Sequence, residues 1–483
     1  MASTDLDIII AGAGLSGIAA GYYVQSRLPG RSYRILEARD AIGGTWDLFV
    51  YPGVRSDSDM HTLGYSFRPW RGDIALADGP SIKAYIAETA RELGIDRNIR
   101  YRRRVVRAQW SSQTARWTLD VEADSAIETY TCRFLSMCSG YYNYERGHLP
   151  QWTGVERYRG TIVHPQAWPR HLDCTGKRVI VIGSGATAVT LVPALAKTAS
   201  HVTMVQRSPG YIVSLPQRDA LARALNTILP SGLAHAAVRW KNVARQMLYY
   251  SLMRRYPEFA RNNIKKMTRR ELGTACDVDR HFTPKYNPWD QRLCFVPNSD
   301  LFASIRSGKA SVVTDSIDEF TEHGVRLASG ETHDADIIVT ATGLDVQLLG
   351  ATEIRIDGRR VSPSEFISYK GMMFCGVPNF SLALGYTNAS WTLKCELTAR
   401  YVCRLVRYMD RRGYAYCVPS PPDPSLATEP AISLTSGYIK RAEHLLPKQG
   451  SRKPWKLYQN YALDLASLQF GRLDDGVMVF ARA

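Results

Sequence analysis

Two glycine-rich turns, each entered from a short apolar strand and left through a run of small residues, constrain this chain more than any other feature. Leu6 to Ala11 reads as an apolar strand, GAGLSG follows, a helix runs on through Arg27, and Ser32 to Glu37 supplies the next strand. In this βαβ frame Gly12 permits the tight turn, Gly14 lets backbone approach a diphosphate, and Gly17 lets helix and strand pack closely. A β-carbon at any of the three would fill phosphate or packing space. Glu37 ends the second strand, about twenty residues on, where a carboxylate can bond ribose hydroxyls. The unit predicts binding of FAD or NAD.

The pattern returns at Lys177 to Ile182, with GSGATA after it and His201 to Gln206 as the following strand. Gly183, Gly185 and Ala188 occupy the three small positions, although ordinary strand–helix packing explains the same letters. Arg207 stands where an NAD-selective acidic residue is expected. Its cation can pair with a ribose phosphate and Ser208 can donate a hydrogen bond, which favours NADPH over NADH; a plain surface cation is the competing reading. One such unit surrounds one adenosine diphosphate, so two imply two dinucleotide sites. The predicted fold class is α/β, with two Rossmann-like dinucleotide-binding domains and a helical insertion. The first domain is expected over 1–145 and 335–483 and the second over 146–334, with a mostly helical insertion at 216–290. Strands are expected at Val105–Ala108, Arg116–Val121 and Thr131–Met137, and helices at Ser81–Leu93 and Ser390–Arg412.

Sixty-one Lys and Arg against 45 Asp and Glu give a formal charge of +16, which favours anionic partners without choosing among them. The excess concentrates between Arg239 and Arg270, where ten cations face only Glu258. The stretch reads as a solvated helical surface, with weak membrane or partner attraction as the lesser alternative. No nucleic-acid module accompanies it, so no nucleic-acid partner is expected. The uncharged run Ile8 to Ser26 approaches a membrane span in length, but its four glycines break it into strand, turn and helix. Nine cysteines show no CxxC spacing and no His/Cys cluster, which points to reduced structural thiols and no metal site. Neither an export signal nor a membrane anchor is read, and a cytoplasmic location is expected.

Between the two units, GGTWDLFVYPGVRSD runs from Gly43 to Asp57. It resembles the Baeyer-Villiger monooxygenase pattern [A/G]GxWxxxx[F/Y]P[G/M]xxxD at every fixed position, through Gly43, Gly44, Trp46, Tyr51, Pro52, Gly53 and Asp57. A second pattern of that family, FxGxxxHxxxW with Pro or Asp after it, matches at Gly160, His164, Trp168 and Pro169, with Tyr158 in place of Phe. The chain thus resembles the class B flavin monooxygenases, in particular the ethionamide-activating branch of Baeyer-Villiger enzymes.

The resemblance implies FAD in the first unit and NADPH in the second, with Gly43, Gly44, Thr45 and Trp46 near the flavin. It implies oxygen transfer from O2 to a small ketone, giving an ester or lactone, or to a sulfide or thioamide. Arg292, in YNPWDQRLC, would stabilise negative charge developing on oxygen, with Asp57 as its ionic partner. The family commonly carries a basic pair there; Gln291 replaces its first member, which puts one phosphate contact in doubt. His164 would position the nicotinamide between domains rather than transfer protons, and Trp168 would pack the linker. Asn388 and Trp391 would approach the pocket or else pack and cap a helix, while Tyr65, Phe67 and Trp70 would line an entrance or fill a core. A flavin reductase or oxidase, a disulfide reductase included, and a redox sensor without turnover are the rivals. Oligomeric state is left open.

Overall fold

In a computed structural model the protein is described from Thr4 to Arg482. Met1, Ala2, Ser3 and Ala483, assigned above to the first unit, lie outside the described residues. The first βαβ unit opens a nine-stranded sheet. Thr4–Ala11 lies between Tyr33–Leu36 and Ala126–Met137, parallel to both. Successive residues of a strand point to opposite faces, so Ile8 and Ile10 pack against the helices Leu15–Arg27, Gly79–Glu92 and Trp391–Arg412, while Ile9 and Ala11 face the other side. Burial on both faces explains the near-continuous apolar run.

The strands Arg103–Ser111, Arg116–Ala123 and Ala126–Met137 form an antiparallel meander in this sheet. The last is longer than the sequence suggests because it serves two partners on one edge. Its first half pairs with Arg116–Ala123, and its end pairs with Phe380–Leu382.

The second unit is a five-stranded, all-parallel sheet in the order Ala310–Thr314, His201–Gln206, Arg178–Ile182, Ile337–Thr340, Thr161–Val163. Here the expected boundary needs correction. Ile337–Thr340, placed in the first domain by the reading 335–483, is an interior strand of the second sheet, buried at all four positions. The chain returns to the first unit only after Thr340. Its two crossings run side by side: Tyr142–Gly147 pairs antiparallel with Leu344–Val346.

Helices Ala220–Ile228, Ser231–Arg255 and Pro257–Leu272 follow the second motif. Arg239 corrects the reading of this stretch as a solvated surface. It is 7% exposed and donates from Nη1 to the carbonyls of His61 at 3.0 Å and Gly64 at 2.7 Å. Glu396 lies 3.8 Å from its guanidinium. A buried charge needs such partners, and they tie the insertion to the first unit. Among the described residues, no helix is long and apolar enough to cross a membrane.

Candidate active site

Both glycine motifs open onto one cavity of about 570 Å³, within the range of small-molecule and cofactor pockets. The helix Leu15–Arg27 begins at Gly14, the helix Ala186–Leu195 begins at Gly185, and neither start has a side-chain cap. The orphan N–H groups of two helix N-termini therefore face the same space, where they favour anionic oxygen. Gly14, Gly185, Ala186 and Thr187 are in the wall.

The first cradle is closed by backbone. Gly12 has φ +107, and a Cβ there would meet the Cys138 carbonyl oxygen at 2.6 Å; a Cβ on Gly17 would lie 1.8 Å from the Gly12 carbonyl oxygen. Glu37 is buried. Its carboxylate accepts from the Ala13 N–H at 2.6 Å and from the Arg39 N–H at 2.9 Å. Burial raises its pKa, while these two N–H donors and the Arg39 charge oppose the shift. Gly43, Gly44, Thr45 and Trp46 continue the wall. Ser139 adds a hydroxyl on the same wall that is buried without a hydrogen-bond partner among the described residues. Helix start, carboxylate and unpartnered hydroxyl fit a dinucleotide with a polar ring edge.

The second cradle is more open. Gly183 has φ +138, and a Cβ there would strike the Ala341 carbonyl oxygen at 2.3 Å, whereas a Cβ on Gly185 would meet nothing within 4 Å. Ala188 is fully buried against the sheet. Arg207 and Ser208 follow the strand as predicted, are exposed, and stand outside the cavity wall. The Ser184 hydroxyl donates to the Ser208 carbonyl at 3.0 Å. Arg441, from the C-terminal part of the chain, comes within 3.8 Å of the Cβ position of Gly343. Burial and the Arg207 charge both lower its pKa, so the two cations face one region.

Between the cradles, Arg292 donates from Nη2 to Asp57 Oδ1 at 3.0 Å. The guanidinium lies deep in the molecule, yet 36% of its side chain remains open to the cavity. Asp57 raises its pKa far above the ordinary value, outweighing the burial that opposes it. Tyr141, Tyr142 and Tyr438 surround the pair, and the hydroxyls of Tyr141 and Tyr142 lie 2.5 Å apart. None of these tyrosines was named from the sequence. Tyr141, Tyr142 and Tyr144 do carry a signal: they follow the end of a parallel strand, where open α/β sheets place ligands. Tyr438 arrives from a distant segment and carries none.

Cys138 and Cys294 also reach the wall. Burial pushes both thiols up to about 12, so they are protonated at neutral pH and poor nucleophiles. That weighs against dithiol chemistry.

His164 is not in the wall. Its ring sits on Gly147, where a Cβ would come within 1.9 Å of it. Nδ1 accepts from the Gln166 N–H at 3.2 Å, which leaves the proton on Nε2, 3.2 Å from the Gly343 carbonyl. Burial lowers its pKa. The neutral ring thus clasps one crossing to the other. Tyr158 is a packing residue whose hydroxyl donates to the Ala335 carbonyl at 2.9 Å. Gly160 is required beneath it, since a Cβ there would overlap that hydroxyl. Trp168 is buried in the core of the second unit.

Of the residues left open, Trp391 lines the cavity, stacks on Tyr141 at 5.2 Å and donates to Ser16 Oγ at 3.0 Å. Asn388 instead packs, donating to the Gln459 carbonyl at 2.9 Å. Tyr65, Phe67 and Trp70 belong to an aromatic core.

The flavin-binding monooxygenase-like family profile matches residues 8–408. The FAD-containing monooxygenase EthA of Mycobacterium tuberculosis (strain CDC 1551 / Oshkosh) is 52% identical over 478 residues, covering 99% of this chain and 98% of that protein. EthA of Mycolicibacterium smegmatis (strain ATCC 700084 / mc(2)155) is 50% identical over 477 residues, at 99% and 97% coverage. Among solved structures, an oxidized steroid monooxygenase bound to NADP superposes with a TM-score of 0.76 at 24% identity, covering 99% of this chain and 100% of that one. This last likeness is one of fold. With two dinucleotide cradles opening on one cavity and relatives that match along nearly its whole length, the chain belongs to the flavin-binding monooxygenase-like family.

Proposed function

We propose that this FAD- and NADPH-dependent monooxygenase inserts one atom of O2 into small ketones, giving esters or lactones, and oxidises sulfides or thioamides in the same cavity. The observation that carries the reading is the Arg292–Asp57 pair, a fixed positive charge open to the cavity between two dinucleotide cradles. Bound FAD supplies the redox chemistry, with NADPH as hydride donor and O2 as oxidant.

The protein's part is binding, orientation and charge. Gly12 and Gly14 bring backbone to the FAD diphosphate, Gly17 lets the helix pack close behind them, Glu37 takes its ribose, and Gly43 to Trp46 line the flavin side. Gly183 and Gly185 do the same for NADPH, with Ala188 packing the helix on the strand behind them, while Arg207 and Ser208 hold its 2′-phosphate. The FAD-binding domain then comprises residues to about 145 together with those after Thr340, and the NADPH-binding domain the stretch between, insertion included. Arg292 stabilises negative charge on oxygen as it develops. Asp57 fixes the guanidinium by a charge-assisted hydrogen bond. The Tyr141–Tyr142 hydroxyl pair keeps one proton that can be donated to the same oxygen. His164 transfers no proton; it sets the spacing of the two crossings and hence of the two cofactors.

Incubation with NADPH and 18O2, over a panel of cyclic ketones, linear ketones, sulfides and thioamides, tests the reading. One labelled oxygen in an organic product, matched to NADPH consumed, is expected with at least one ketone. Labelled hydrogen peroxide alone would mark an oxidase and overturn it.

A further inference from the structure

The outer face of the insertion carries a large share of the exposed apolar side chains. Among the described residues, ten of the twenty-one exposed large apolar side chains fall between Leu221 and Met267, so the concentration belongs to these three helices and not to the surface at large. Ile228 is 76% exposed, Phe259 70% and Leu233 63%. On the long helix Ser231–Arg255, Leu233 and Trp240 lie on the side away from the buried Val238 and Asn242, and Leu248 and Leu252 are exposed further along its C-terminal half. Exposed apolar side chains gathered on one element in this number mark an interaction site.

Charge specifies the partner. Residues 220–272 hold eleven Lys and Arg against two Glu. Several of the cations are already used: Lys241 pairs with Asp219, Arg254 with Asp290, and Lys265 and Arg269 with Asp279. Arg223, Arg245, Arg255, Lys266 and Arg270 are exposed and have no carboxylate partner among the described residues. Free cations thus interleave with aliphatic and aromatic side chains. A second copy of this face would bring like charges together. A nucleic-acid backbone would satisfy the cations but leave Ile228, Leu233, Leu248 and Leu252 in water. An anionic bilayer takes both, phosphates to the cations and acyl chains to the apolar side chains.

The inner face fixes the orientation. Besides Arg239, Asn242 donates to Asp59 at 3.0 Å and Gln246 to the same carboxylate at 2.7 Å. The Asp59 to Leu63 segment they hold ends at Leu63, in the cavity wall. We propose that helices Ala220–Ile228, Ser231–Arg255 and Pro257–Leu272 form a docking face for the surface of an anionic lipid membrane. The face lies one helix away from the cavity, and the proposal is independent of which compound is oxidised there.

Sedimentation of the FAD-loaded protein with vesicles tests it. Vesicles of equal phosphatidylglycerol and phosphatidylcholine should bind at least about 10-fold more tightly than phosphatidylcholine alone, with the difference shrinking as salt is raised. That comparison needs no variant. Arg245→Glu with Lys266→Glu and Arg270→Glu should weaken binding about 100-fold, and Ile228→Asp with Phe259→Asp at least about 10-fold. Both sets should keep the flavin spectrum and NADPH turnover, since none of these residues touches the cavity. Equal affinity for both vesicle types, wild-type binding by the charge-reversed protein, or tighter binding to a DNA duplex than to vesicles would each overturn the proposal. So would a docking face whose substitution changes only the oligomeric state.

Discussion

The two glycine motifs share a plan and differ in closure. At the second glycine of each, a Cβ on Gly14 would touch Gly44 at 3.5 Å, whereas one on Gly185 would face open space. At the third position the first unit has no room for a methyl, and the second already carries one in Ala188. The acceptor strand ends in a buried carboxylate with two backbone donors in one case and in an exposed arginine in the other. Closed walls suit a cofactor that stays; an open mouth with a surface cation suits a cosubstrate that must enter and leave on each turnover.

Substitutions at corresponding positions test that contrast most strongly. Gly17→Ala should abolish FAD loading, because the added carbon would overlap a main-chain oxygen that cannot move without opening the turn. Ala188→Gly, at the equivalent place, should keep full flavin and change KM for NADPH no more than about 3-fold, the scale of a small loss of helix stability. Flavin absorbance per polypeptide reads the first and steady-state kinetics the second. A fully loaded Gly17→Ala protein would remove the distinction.

The charge between the cradles comes next. Arg292→Ala should lower product-coupled oxygenation by about 10² to 10³-fold, the usual loss on removing one preorganised charge-stabilising donor. FAD content should hold, because Arg292 contacts the cavity and not the Gly12–Gly17 turn. Normal coupling in the variant, measured as product per NADPH, would take Arg292 out of the mechanism. A smaller effect is expected at the open mouth. Arg207→Ala should raise KM for NADPH about 10 to 100-fold while leaving NADH unchanged, since a hydrogen-bonded charge pair is worth about 1.5–3 kcal/mol. Equal losses with both nucleotides would place Arg207 on something other than the 2′-phosphate.

The same contrast explains what could be read from the letters. The places of Gly12, Gly14, Gly17 and Glu37 were legible because they are local: each depends on residues in one βαβ unit. The Arg292–Asp57 pair bridges 235 positions, and only the resemblance could join it. Tyr438 is invisible in the sequence because its place beside Arg292 is a product of tertiary packing. The strand Ile337–Thr340 was recognised but given to the wrong sheet, since an apolar run buried on both faces carries no mark of which neighbours it pairs with. Arg239 was misplaced for a related reason. Its neighbours Arg245, Arg254 and Arg255 are exposed, and nothing in the spacing says that one cation of the series turns inward to the carbonyls of His61 and Gly64.

The clasp that sets the distance between the closed and the open cradle should give the smallest effect, and one that depends on pH. In the fold, neutral His164 accepts at Nδ1 and donates at Nε2, and burial holds its pKa below the ordinary 6.5. The unfolded chain therefore takes up the proton first as pH drops. The contribution of His164 to stability is complete above pH 6.5 and declines as pH falls through the lowered value. Protonation also removes the Nδ1 lone pair that receives the Gln166 N–H. His164→Ala should cost about 1–3 kcal/mol at pH 7.5, for two lost hydrogen bonds and the contact with Gly147. The Tm difference between wild type and variant should narrow as pH falls from 6.5 towards 5. His61 and His235 also carry lowered pKa values and titrate in both proteins, so their share cancels in the difference. A gap that widens on acidification would mean that the charged ring, not the neutral one, holds the two crossings together.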